Sequence, residues 1–248
     1  MRKITTLIGL LLALLTGCNQ KAPQRIGVDP SFYPLELPGI RDNVYGFTRD
    51  LMMEISSEKM MNLTEVTASW DNLEENLRKG KYDAIFTTMP RYNFNLHTYD
   101  FSEPYLYVGP ILLIRSDSTF HDLKNLRNKE VAIVKESHHD LILEKIPEII
   151  IRTYPDIPSM LQALMDGRVD GAILPILIAE QYVQNLYNGR IKMVQKPLTS
   201  EALRLVTLHK ENEKMRAAFN HAIKKVKSSG NYNKLLKKYN LINLPLEE

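Results

Sequence analysis

The chain has 248 residues, 44% of them hydrophobic and 25% charged, a balance that excludes disorder and a collagenous repeat. That length can bury one large core or two modest ones. The formal charge is +3, and without Arg2 and Lys3 the count is 30 bases against 29 acids, or +1, which gives no electrostatic reason to expect a nucleic-acid partner.

The first 18 residues carry a sharp local signal. Arg2-Lys3 form a positive start, Ile4 to Leu15 an apolar run broken by Thr5, Thr6 and Gly9, and Leu15-Thr16-Gly17-Cys18 closes it. The run is shorter than the roughly 20 residues of a membrane span, so residues 1–17 are expected to be an export signal. The four-residue ending resembles the lipobox of bacterial lipoproteins, in which cleavage leaves the cysteine as an acylated N-terminus. Cys18 is the only cysteine, so an intramolecular disulfide is impossible, and acylation gives the thiol a role. A plain secretory signal with a chance cysteine is the bland alternative. Residues 18–24 then form a lipidated tether.

Arg25-Ile26-Gly27-Val28 is expected to be the first strand, followed by a turn-rich loop through Pro30 and Pro34. Phe47, Leu51 and Ile55 mark the buried stripe of a helix, and Asn62 to Thr67 a returning strand. Ser69 is expected to cap a helix carrying Trp70, Leu73 and Leu77, with Glu74/Arg78 and Glu75/Lys79 paired at i, i+4 and Gly80 as left-handed stop. A strand over Tyr82 to Phe86 ends at Thr87-Thr88. The helix-Gly-basic-x-Asp-strand unit recurs 87 residues on, from Gly80-Lys81-Tyr82-Asp83 to Gly167-Arg168-Val169-Asp170. Leu106 to Arg115 is a candidate crossing between two lobes. Strands at Val131–Val134, Ile149–Ile151, Gly171–Leu174 and Ile191–Val194 alternate with helices at Asp140–Lys145, Ser159–Asp166 and Ile178–Tyr187. Such alternation argues for a parallel or mixed sheet covered on both faces. Lys196–Ser200 is the expected return crossing, Ala202–Leu208 a strand, and Glu211–Ser228 and Asn231–Tyr239 the last helices.

Arg25-Ile26-Gly27-Val28-Asp29, Gly46-Phe47 with Asp50-Leu51, Trp70 with Leu73, and Gly80 to Ala84 occur in order. With Asp100-Phe101-Ser102-Glu103-Pro104-Tyr105 and Gly167 to Asp170, the chain resembles the family 3 extracellular solute-binding proteins, amino-acid receptors of ABC importers. The resemblance covers residues 25–240. It implies an α/β, two-lobe, type II periplasmic-binding-protein-like fold, each lobe a mixed sheet flanked by helices, joined by two crossings and closing like a hinge. Lobe 1 is expected to hold residues 25–114 plus 200–248, and lobe 2 residues 115–199. It further implies a small-molecule ligand such as an amino acid, an ABC permease in the inner membrane, a monomer, no enzymatic activity, and neither cofactor nor metal. The place is the periplasm or cell surface, anchored through Cys18.

Ligands of α/β sheets sit beyond the carboxyl ends of the strands. The resemblance matches Asp29 to a carboxylate that meets a ligand side chain, Phe32 and Phe47 to aromatic walls, and Thr87 and Thr88 to donors for a ligand carboxylate. Phe47 also opens a core stripe, so packing and cleft lining compete there; Asp29 alternatively initiates a turn. Arg91, Ser137 and His138 complete the candidate set. The pattern fails at two positions: the arginine that clamps an α-carboxylate is replaced by Asn95, and the aspartate that takes the α-ammonium by Pro175. Losing both would cost about 3–6 kcal/mol, on the order of 10²- to 10⁴-fold in affinity. A dehydratase-like cleft enzyme using Glu136 and His138, and a degenerate cleft serving a sensor or surface partner, are the alternatives.

Overall fold

The computed structural model describes residues 22–33, 35–58, 60–137 and 139–244; the segment expected to be an export signal, Cys18 and His138 lie outside them. In chain order the elements are β1 (Gln24–Val28), α1 (Arg41–Ser57), β2 (Leu63–Thr67), α2 (Trp70–Arg78), β3 (Ala84–Thr87), β4 (Tyr99–Phe101), β5 (Leu106–Tyr107) and β6 (Pro110–Arg115). A 3₁₀ turn (Leu123–Leu126), β7 (Glu130–Val134), α3 (Asp140–Leu143), β8 (Ile150–Tyr154), α4 (Ile157–Met165), β9 (Gly171–Pro175) and α5 (Ile176–Asn185) follow. β10 (Ile191–Pro197), β11 (Ala202–Leu208), α6 (Glu213–Ser228) and α7 (Asn231–Lys238) complete them.

The strands form two mixed sheets. The first runs β2-β1-β3-β11-β4, with β5 also paired to β11; the second runs β10-β6-β9-β7-β8. Within them β1, β2 and β3 are parallel, as are β7, β8 and β9, while β11 and β6 run antiparallel to their neighbours.

Helix periodicity explains how the first sheet is covered. α1 buries Val44, Phe47, Thr48, Leu51, Met52 and Ile55, one stripe of a 3.6-residue repeat. Together with α6 and α7 it closes an aromatic cluster: Phe47 meets Tyr232 at 5.6 Å, and Phe86 meets Tyr105 at 5.0 Å and Phe219 at 5.6 Å between ring centroids. The opposite face lies under α2, where Leu73 and Leu77 pack with Ile85, Met89, Tyr99 and Val206. Each fully buried side chain of this size stabilises the fold by roughly 1.5–3 kcal/mol.

The 87-residue repeat has one structural purpose. Gly80 and Gly167 adopt φ of +67° and +72°, a left-handed stop that a Cβ would strain. Just beyond each, a backbone N–H reaches back to the helix, Lys81 to the Asn76 carbonyl at 3.0 Å and Arg168 to Ala163 at 2.9 Å. The aspartates act on the neighbouring strand. Asp83 Oδ2 accepts the Arg25 N–H at 2.7 Å, and Asp170 Oδ2 accepts the Glu130 N–H at 3.0 Å. Their own N–H groups return the bond, to the carbonyls of Arg25 and Glu130, both at 2.8 Å. Each sheet therefore pins the start of its first parallel strand, β1 or β7, in the same way.

The crossings are shorter than expected. Ile111 to Ile114 are wholly buried, because β6 is a central strand between β10 and β9; the apolar run expected to lead across belongs to the second sheet. The outward crossing shrinks to Val108-Gly109, between β5 and β6. β10 likewise runs to Pro197, leaving residues 198–201 as the return. The two crossings lie side by side: the N–H groups of Val108 and Gly109 both reach the Glu201 carbonyl, at 3.1 and 3.2 Å, and Leu198 N–H reaches Pro110 at 2.9 Å.

Candidate functional site

Strand register shows which edges meet. β11 starts at the carboxyl end of β3, with Arg204 opposite Thr87, and Tyr107 at the crossing pairs with Ala202. In the second sheet, β6 starts at the carboxyl end of β9, with Pro110 opposite Pro175. Two short crossings thus join the carboxyl edges of the parallel strands of both sheets. Loops after β1, β2 and β3 converge there on one side, and loops after β7 and β9 on the other, an arrangement suited to a ligand cleft.

Asp29 follows β1, but both oxygens of its carboxylate are engaged. Oδ1 accepts the N–H and hydroxyl of Ser31 at 2.8 and 2.7 Å, and Oδ2 accepts the Trp70 N–H at 2.8 Å. It caps α2 from another element, whereas Ser69 at the N-cap position makes no side-chain bond. The turn alternative is therefore the one the contacts favour. Phe32 adopts φ of +51° and is 3% exposed within the core; this left-handed turn sends its ring inward and leaves Tyr33 outside. Phe47 is wholly buried against Tyr232 and lines core, not cleft.

The aromatic surface at this edge comes instead from Tyr33, 55% exposed, whose ring lies 5.4 Å from that of the half-buried Trp70. Tyr33 was missed because a positive φ at Phe32 breaks the local pattern.

Thr87 and Thr88 are buried. Thr87 Oγ1 accepts the Met89 N–H at 3.1 Å, which leaves its own O–H to donate, and Thr88 Oγ1 has no partner among the described residues. Arg91 is exposed, its guanidinium 5.9 Å from the Phe101 ring centroid. Asn95 faces no clamp role: its amide donates to the Pro90 carbonyl at 2.8 Å and it organises the turn from Tyr92 to Tyr99. Pro175, opposite Pro110, offers neither donor nor charge.

Across the crossings, Ser137 follows β7 with its Oγ buried and unpartnered among the described residues, as is Asp140 Oδ1 at the start of α3. The preceding Glu136 has φ of +65° and a side chain 83% exposed beside Lys135. That setting lacks the desolvation a cleft acid needs. Sequence inspection also missed Arg204, 5% exposed on β11 and hydrogen-bonded to the carbonyls of Ser102 (3.2 Å) and Ser200 (3.3 Å). Burial first, and then the Arg91 charge, push its guanidinium below the ordinary value. An arginine inside the apolar run Ala202 to Leu208 was the available signal.

Two surface cavities, about 500 Å³ over Trp70, Glu74 and Arg78 and about 270 Å³ by Arg25 and Asp83, contain none of these groups except Trp70. Their charges pair with one another, as Arg78 does with Glu74 and Arg25 with Asp83, so they are solvated hollows.

Two mixed sheets whose carboxyl edges meet at paired crossings define a two-lobe binding protein. The chain belongs to the bacterial extracellular solute-binding proteins, family 3, whose model matches residues 24–242. It is 27% identical to the Probable amino-acid-binding protein YxeM of Bacillus subtilis (strain 168), covering 96% of this chain and 95% of that one. It is 26% identical to the arginine-binding periplasmic protein of Mannheimia haemolytica, over 92% and 97%. The L-cystine solute receptor of Neisseria gonorrhoeae, in its unliganded open conformation, superposes with a TM-score of 0.72 at 18% identity, over 92% and 97%. Membership makes the chain a binding protein and not an enzyme.

Proposed function

We propose that the chain is the receptor of an ABC importer, capturing an amino acid or close relative between its lobes and presenting the closed form to the permease. Lobe 1 would comprise residues 24–109 and 198–244, and lobe 2 residues 110–197. The observation that carries this reading is the pair of buried hydroxyls without a partner among the described residues, Thr88 beyond β3 of the first sheet and Ser137 beyond β7 of the second, on edges joined by the crossings. Buried hydroxyls without partners are costly, and a polar ligand bridging both edges would satisfy them while favouring closure. Tyr33 and Trp70 supply an apolar wall, and Asp140 an acceptor for a ligand ammonium.

Thermal shift with free amino acids, short peptides and polyamines tests this. At a hundredfold excess over Kd, a true ligand should raise the melting temperature by about 5–10 °C. No shift with any member of the three classes would remove small-solute capture. The anchor through Cys18 rests on the Leu15-Thr16-Gly17-Cys18 pattern; Cys18→Ala should release the protein from the membrane fraction, and retention there would contradict lipidation.

A further inference from the structure

Arg204 is the only buried lysine or arginine among the described residues. It makes two hydrogen bonds, both to carbonyls, and has no carboxylate within ion-pair distance among those residues. A guanidinium carries five N–H donors, so most remain without an acceptor, and a buried cation without an anion is costly. After burial, the Arg91 charge disfavours that of Arg204, while Tyr107 and Glu103 favour it more weakly and neither forms a hydrogen bond to it among the described residues. Thr87, the cross-strand partner of Arg204, has an O–H with no acceptor among the described residues, and the next residue, Thr88, carries a hydroxyl unpartnered among them. Unsatisfied donors with no ion-paired acid among the described residues thus gather at the carboxyl edge of β3, two residues from the Ala202–Tyr107 pair that begins the crossing.

We propose that Arg204, assisted by Thr87 and Arg91, is the anion subsite of the cleft and takes the ligand's carboxylate. The inference rests on the solute-capture reading above. It accounts for the absence of a cation at Asn95: the charge comes from a strand on the other side of β3, not from the loop. The planar guanidinium fork suits a carboxylate in bidentate geometry, and a strand holds it more rigidly than a loop.

Titration calorimetry on the full chain tests the subsite, using the amino acid with the largest thermal shift, its carboxamide and its decarboxylated amine. The two analogues should bind roughly 10- to 100-fold more weakly than the amino acid. Arg204→Gln should lose that same factor for the amino acid and almost nothing for the analogues. Unchanged affinity in a folded R204Q, or an equal loss for acid and amide, would make Arg204 a structural clamp and overturn the proposal. If R204Q fails to fold, Arg204→Lys and the exposed Arg91→Gln replace it, with about tenfold and several-fold weaker binding expected for the acid alone; no change in either overturns it. If no amino acid binds the parent chain, solute capture fails. The subsite is then judged by whether acetate, at fixed ionic strength, stabilises the parent but not R204K; absence of that difference removes it.

Discussion

Asp29 illustrates how one side chain can serve the fold where the family pattern suggests ligand contact. Replacing it with Ala would strand the N–H groups of Ser31 and Trp70. The expected loss is roughly 1–3 kcal/mol, read as a lower urea midpoint with an unchanged slope. Phe47→Ala should cost about 3–5 kcal/mol by opening a cavity beside Tyr232; a large affinity loss with unaltered stability would instead restore Phe47 to the cleft. These two residues also mark the limit of what the sequence discloses. Helical spacing announced the Phe47 stripe, since that information is local. The partner of Asp29 lies 41 positions away on another element, and no local pattern encodes it. Arg204 escaped for a related reason: its meaning depends on β11 lying between β3 and β4, a non-local pairing.

Among elements, the two Gly-basic-x-Asp units were the most legible, because helix stop, turn and strand start are all encoded within a few residues. The expected Glu74–Arg78 and Glu75–Lys79 pairs both form on α2. Docking of α7 on α1 was not legible. It runs through Asp50, whose carboxylate accepts from Lys238 and, at 2.7 Å, from the Tyr239 hydroxyl. The Lys238 bond above all, against the opposing effect of burial and with help from Tyr239, holds Asp50 below the ordinary carboxylate value of 3.8. With the folded pKa below the unfolded one, this contribution is complete above the unfolded value and disappears as pH falls through the folded value. Asp50→Asn should therefore be less stable at pH 7 but lose less on acidification below pH 4, in urea midpoints taken from pH 7 to pH 2.

For the whole molecule, the joint between sheets is the sensitive point. A Cβ on Gly109 would stand 2.5 Å from Thr199 Oγ1 and 3.2 Å from Glu201 Cβ, so Gly109→Ala should force the crossings apart. The expected outcome is several-fold weaker ligand binding with unchanged selectivity, and a smaller ligand-induced contraction in solution scattering. Thr199→Ala in the same chain should restore both. The strand order also has a consequence for how the molecule comes into being. β3 and β4 are bridged only by β11, which the chain reaches after completing every strand of the second sheet. During synthesis the first sheet is begun first and finished last. Until about residue 208 has emerged, the β3 edge awaits its neighbour, and pairings such as Phe86 with Leu205 impose a slow, long-range closure. A nascent chain of this topology stays unclosed through most of its length, a property that suits threading across a membrane before folding.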